Sequence, residues 1–284
     1  MQLPLFDPQP ADPLTQIGPA TVSYKAARSI LTSTAGFLDS YDFSLNPYSG
    51  CTFGCTYCYA AFFSRDSARQ ATWGAWVQVK ENALQLLRKQ RRQPLQDKII
   101  YMSSVTDPYQ PIERKLGLTR QILQELLDYH QVRLVIQTRS PLVTRDIDLL
   151  SQFAHLQVNM TVTTDSEQVR RAFEPGCPGN NARLEAIRAV AAAGISSCVT
   201  MTPLLPVEDP AGFARAVAAT GAGSFIVQPF HVTRGKFVAG TRQQALDLVK
   251  KLGWDNDRYL ATVNILRHHL PNLSEGKAGF APPD

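Results

Sequence analysis

The sequence predicts an α/β fold built on a parallel sheet. Three observations point to it: short β-like runs alternate with segments of helical period six times over, 44% of the 284 residues are hydrophobic, and only 19% are charged. Such a chain can bury a sizeable core and is not disordered, and its length fits one large domain or two small ones. Residues 1–40 are Pro-rich and poorly periodic and read as a mostly irregular arm. The β-like runs follow at 41–46, 98–103, 132–138, 156–164, 196–205 and 224–230. Between them, Val79, Ala83, Leu86 and Leu87 share one face of a first helix, and Thr119 is placed to cap a second ahead of Ile122, Leu123, Leu126 and Leu127. Leu184, Ile187, Val190 and Ala191 precede Gly194, a residue suited to a left-handed helix end. Residues 257–270 read as a closing helix and 275–284 as loop. Parallel strands joined by right-handed crossovers suit an open or partial barrel as well as a doubly wound sheet, and either puts the site at the carboxyl ends of the strands.

Lys and Arg outnumber Asp and Glu by 29 to 24, a net charge of +5 that suits an anionic partner without demanding one. The longest weakly charged stretch, 189–207, is broken by Gly194, Pro203 and Pro206, so it cannot supply the ~20 apolar residues of a membrane span. The N-terminus has neither the basic nor the apolar region of a secretory signal. A cytoplasmic protein with no membrane partner is expected. Of five cysteines, three crowd into eight residues as Cys51, Cys55 and Cys58, which in a reducing compartment points to metal ligation rather than disulfides.

Three thiolates on one C-x3-C-x2-C loop can hold three irons of a [4Fe–4S] cube and leave the fourth open for chemistry. A structural zinc site normally needs four ligands, and no histidine precedes His130 to supply the fourth.

The motif resembles the signature of the radical S-adenosylmethionine (SAM) enzymes, with Tyr57 as its aromatic residue. Asn46-Pro47-Tyr48-Ser49-Gly50-Cys51, Cys58-Tyr59-Ala60, Ser104-Val105-Thr106-Asp107-Pro108 through Glu113, Leu118-Thr119-Arg120, and Glu174-Pro175 with Arg183-Leu184 resemble the spore photoproduct lyase-related branch. The resemblance implies a partial (β/α)6 barrel of the radical SAM type over 41–240, between the arm of 1–40 and a C-terminal helical extension of 241–284. It implies a [4Fe–4S] cluster on Cys51, Cys55 and Cys58, SAM chelating the open iron, and an external electron donor of flavodoxin or ferredoxin type. Reductive cleavage of SAM would then yield a 5′-deoxyadenosyl radical that abstracts a hydrogen atom.

In that frame Tyr57, Tyr59 and Arg183 join the cofactor-binding set. Ser103, Ser104, Thr106 and Asp107 stand where the family holds SAM's amino group, and Arg139 where a cation meets its carboxylate. The residues alone leave open an Asx-type turn before Pro108 and a solvated arginine at a strand end. On the fourth run Asn159, Thr161 and Thr163 alternate with Val158, Met160 and Val162, so one face meets something polar, and these three are candidates for SAM ribose or substrate contacts.

The resemblance has one gap. Spore photoproduct lyases return a hydrogen atom from a cysteine near the end of the second strand, and here no cysteine lies between Cys58 and Cys177. Thymine-dimer repair by that route is not expected. Cys177 is a candidate substitute donor or ligand, and equally an ordinary loop cysteine; Cys198 reads as a small core residue. Gln2-Leu3-Pro4-Leu5-Phe6 resembles a peptide that docks on the DNA sliding clamp, and equally an apolar tail. Arg88, Lys89, Arg91 and Arg92 are candidate phosphate contacts at a helix end. Nucleic acid is the first substrate class considered. The alternatives are a small-molecule or peptide substrate, and a non-catalytic Fe–S- or zinc-containing nucleic-acid-binding protein.

Overall fold

The computed structural model describes residues 13–231 and 242–282, so the pentapeptide Gln2–Phe6 lies outside the described residues. The strands in chain order are β1 (Gln16–Ile17), β2 (Ala20–Lys25), β3 (Leu31–Ser33), β4 (Phe43–Leu45), β5 (Tyr48–Ser49), β6 (Trp76–Lys80), β7 (Gln96–Met102), β8 (Gln131–Thr138), β9 (Leu156–Thr161), β10 (Ser196–Met201), β11 (Ser224–Val227) and β12 (Leu273–Glu275). The six β-like runs become β4 and β7 to β11, which are neighbours in one sheet of order β12-β11-β10-β9-β8-β7-β4-β3. Every pairing in it is parallel except β3 with β4.

Alternation divides the sheet into two faces. Ile100, Met102, Leu134, Ile136, Val158, Met160, Val199 and Val227 pack outward into one apolar cluster with Ile122, Leu123, Ile187, Val190, Phe213 and Val217 of the covering helices. Each such side chain contributes ~1.5–3 kcal/mol by leaving water. The opposite, inner face carries a second cluster of Tyr41, Tyr101, Val135, Cys198, Ile226 and Phe280. Its floor is clasped across the two sheet edges: Tyr41 Oη donates to the Phe280 carbonyl at 2.9 Å, the Phe37 and Phe280 rings lie 5.2 Å apart, and Lys277 pairs with Asp39 at 2.6 Å.

Four sequence expectations need correction. The arm expected to be irregular carries β1, β2 and β3, and β1, β2, β6 and β5 form a second sheet in that order. Val79 is in β6, not a helix: Val77 and Val79 point one way at period two, buried with Tyr48 and Ile112, and the helix starts later as Ala83–Lys89. Thr119 does not cap its helix. Gly117, at φ +60°, precedes Leu118–Tyr129, and the Glu113 carboxylate caps the Thr119 N–H at 2.9 Å. Within 275–284, expected to be loop, Glu275 ends a strand, Leu273–Glu275, that pairs with β11, and Lys277–Phe280 forms a 3₁₀ turn. The helix Asn180–Ala192 is followed by Gly194 at φ +76°, as its C-terminal pattern predicts. No helix among the described residues is long and apolar enough to cross a membrane.

Candidate active site

The cysteine loop follows β5 at the carboxyl end of the sheet and is tied down on both sides. Upstream, Thr106 Oγ1 donates to the Gly50 carbonyl at 2.6 Å, and Gln110 accepts the Thr52 N–H at 3.0 Å while donating to Thr106. Downstream, the Thr56 N–H reaches the Phe173 carbonyl at 2.8 Å, and the Gly176 N–H reaches the Phe53 carbonyl at 3.0 Å. Gly176 permits this approach, because a Cβ there would stand 2.4 Å from the Thr52 carbonyl oxygen.

Cys51, Cys55 and Cys58 are free thiols. Burial pushes Cys51 up and Cys58 up to about 11, whereas the hydrogen bond with Cys177, at 3.7 Å, holds Cys55 down. Buried thiolates of this kind call for compensating positive charge, which an iron cluster supplies. Three thiols on one loop are a donor set that fits three corners of a [4Fe–4S] cube.

Arg139 faces this loop. One guanidinium nitrogen donates to Tyr57 Oη at 3.0 Å, its centre lies 5.7 Å over the Tyr57 ring, and its buried Nε, 3.5 Å from Glu174 Oε1, has no hydrogen-bond partner among the described residues. Glu174 lies beside it, accepting from Tyr57 Oη, from Thr163 Oγ1 at 2.9 Å and from Arg183 at 2.7 Å. Burial raises the Glu174 carboxyl, but Arg183 and Arg139 outweigh that and hold it at about 2. Arg183 is fully buried and also donates to the Pro178 and Thr161 carbonyls, so it braces Glu174 instead of presenting free donors.

The other expected residues divide in the same way between bracing and open roles. Asp107 accepts from the Tyr109 N–H at 2.9 Å, the turn expected before Pro108, and from Thr138 Oγ1 and the Arg139 N–H. Burial raises its carboxyl against those three hydrogen bonds. Ser103 Oγ donates to the Thr106 carbonyl, and Tyr59 Oη donates to the Ser104 carbonyl. Among the described residues Ser104 Oγ only accepts, from Asn46 at 3.1 Å. On the inner face Thr161 and Thr200 meet at 2.9 Å under Gln137, which accepts in turn from Tyr101 Oη at 3.0 Å, and Asn159 accepts from Gln157. Cys177 stands against Cys55 in the outer cluster, while Cys198 is on the inner face beside Tyr101. Sequence reading missed Glu174, Gln110, Gln137 and Tyr101 as site residues, since their partners are far away in the chain. Of the basic helix end, Arg91 is forked onto Glu125 and stacked on Tyr129, and Arg88 approaches Glu125 at 3.7 Å. Lys89 and Arg92 remain as the candidate phosphate contacts.

Comparison with known proteins extends the picture. The chain is 36% identical over 162 residues to an uncharacterized protein of Methanocaldococcus jannaschii, covering 57% of this chain and 60% of that one. It is 31% identical over 171 residues to an uncharacterized protein of Acidianus two-tailed virus, covering 57% and 56%. The match thus spans less than two thirds of either relative's length. Among solved structures, a spore photoproduct lyase with bound AdoMet and dinucleoside spore photoproduct superposes with a TM-score of 0.63 at 14% identity, covering 90% of this chain and 81% of that chain. A radical S-adenosylmethionine methyltransferase from Kitasatospora setae superposes at 0.50 and 16% identity, covering 81% and 43%. These likenesses establish the fold as the partial barrel of radical SAM proteins. The family model described as the Radical SAM superfamily matches residues 45–218, taking in the cysteine loop, the Arg139–Glu174 pair and four of the six central strands, β7 to β10. The chain belongs to the radical SAM superfamily.

Proposed function

We propose that this chain is a radical SAM enzyme that holds a [4Fe–4S] cluster on Cys51, Cys55 and Cys58 and acts on nucleic acid. When bound, the cluster and SAM supply reductive cleavage of SAM to a 5′-deoxyadenosyl radical, which removes a hydrogen atom from the substrate. The observation that carries the reading is the trio of free thiols on a loop pinned at the carboxyl end of a parallel sheet. Arg139, whose buried Nε lies 3.5 Å from Glu174 Oε1 and makes no hydrogen bond among the described residues, would meet the SAM carboxylate, and Ser104 and Asp107 would meet the amino group. Tyr57 and Tyr59 wall the cofactor, each anchored by its hydroxyl. Asn159, Thr161 and Thr163 offer polar contacts along the inner face. Thr106, Ser103 and Arg183 position these groups from behind. The nucleic-acid reading is supported by the net charge of +5, by Lys89 and Arg92, and by the dinucleoside bound to the structurally similar lyase.

Anaerobic reconstitution with iron and sulfide, followed by SAM and dithionite, tests the chemistry. The expected product is 5′-deoxyadenosine, lost in Cys55→Ala together with most of the iron; full iron and SAM cleavage in that variant would overturn the proposal. Oligonucleotide binding that weakens with salt tests the substrate class, since each phosphate contact lowers log K by ~0.9 per decade of salt on duplex DNA. Undetectable binding at low salt favours a small-molecule or peptide substrate.

A further inference from the structure

Beside the cysteine loop, on the side away from the inner face, lies a groove of about 500 Å³. Arg114, Lys115, Leu142 and Pro178 line it, and Tyr109, Phe53, Ser140 and Cys177 are its buried members. Three features give it meaning. Cys177 Sγ is 3.7 Å from Cys55 Sγ, so a molecule seated in the groove is one side chain away from a cluster ligand. Phe53, Leu142 and Cys177 belong to the outer apolar cluster, so the groove can be occupied while the inner face holds other molecules. The third feature is charge. Nearby Arg145 is spent on Glu113 and Asp146, and Arg120 on Asp146 and Asp148. Arg114 and Lys115 are exposed and make no ion pair among the described residues. The groove thus presents two uncompensated cations at the rim of an apolar floor that touches the cluster loop.

We propose that this groove docks the electron donor, an acidic one-electron carrier protein of the flavodoxin class, and that Arg114 and Lys115 recognise its surface carboxylates. The inference rests on the radical SAM reading above. In the step it serves, one electron leaves the reduced carrier, which is oxidised by one, and enters the cluster, which is reduced by one; no bond forms or breaks and no proton moves. Opposite charges at the rim steer encounter and set register, and apolar contact on the floor excludes water.

The test uses a reduced flavodoxin as probe and the double variant Arg114→Glu with Lys115→Glu, whose exposed positions do not support the fold. Binding is read by titration at low and high salt, with reconstituted protein and with the iron-free chain. 5′-Deoxyadenosine formation is read with flavodoxin and, separately, with dithionite. The expected result is wild-type binding that weakens with salt, about tenfold weaker binding in the double variant, and a matching loss of flavodoxin-driven turnover with dithionite-driven turnover unchanged. Binding indifferent to the variant would overturn the proposal. So would equal weakening by Lys89→Glu with Arg92→Glu, or a double variant whose only defect is in oligonucleotide binding. Failure of the dithionite arm in wild type refutes the radical SAM reading instead, while the binding arm still reads the docking surface.

Discussion

Glu174 is a fully buried carboxylate between two guanidinium groups, and its ionisation is tied to folding. Its folded carboxyl is held at about 2 against an ordinary 4.5. The stabilisation is therefore complete above about 4.5 and is lost as pH falls towards 2, amounting to ~3 kcal/mol. Urea midpoints should fall further between pH 7 and pH 3 in wild type than in Glu174→Gln, in which Asp42, Asp148 and Glu167, also held low, still titrate. That variant should itself be ~3–5 kcal/mol less stable at pH 7, since Arg183 is left buried and unpaired. Arg139→Lys keeps the charge but loses the fork, so SAM affinity measured by equilibrium dialysis should fall by about tenfold with iron content intact. The three cysteines were legible because their chemistry is written within eight consecutive residues. Glu174 was not, because its meaning comes from Tyr57, 117 positions away, and from the guanidinium groups that fold onto it.

At the scale of elements, the segment after β9 and the cysteine loop behave as one unit, held by the Thr56–Phe173 and Gly176–Phe53 hydrogen bonds. Gly176→Ala would drive a methyl group into the Thr52 and Phe53 backbone, which has no side chain to move aside. The expected cost is ~1–3 kcal/mol in a urea melt, with reduced iron retention by colorimetric assay. The central strands were readable because branched residues alternate at period two over four or more positions, as in β8 and β9. The run from Val79 to Leu87 deceived because the strand end and the next helix happen to continue one apolar spacing across a turn. β1 to β3 were invisible for another reason: they are two to six residues long, and β2 gains its identity only from pairing with β6, more than fifty positions later.

For the molecule as a whole, the large sheet remains open, and its inner face is floored by residues from both ends of the described chain. Removing residues 271–282 should leave the central strands paired but expose Tyr41, Tyr101 and Ile226. Increased binding of a hydrophobic dye, with faster amide exchange in β4 and β11, checks this. The six-strand architecture follows from periodicity alone, whereas the floor does not, because Tyr41 and Phe280 meet across 239 positions. That separation gives the molecule a timetable. As the chain emerges during synthesis, β4 and β7 to β10 can pair successively with neighbours already present, but the clasp must wait until residue 280 is free to return. Until then the tyrosines of the inner face stand open to water, so that face closes only after all six central strands have been made.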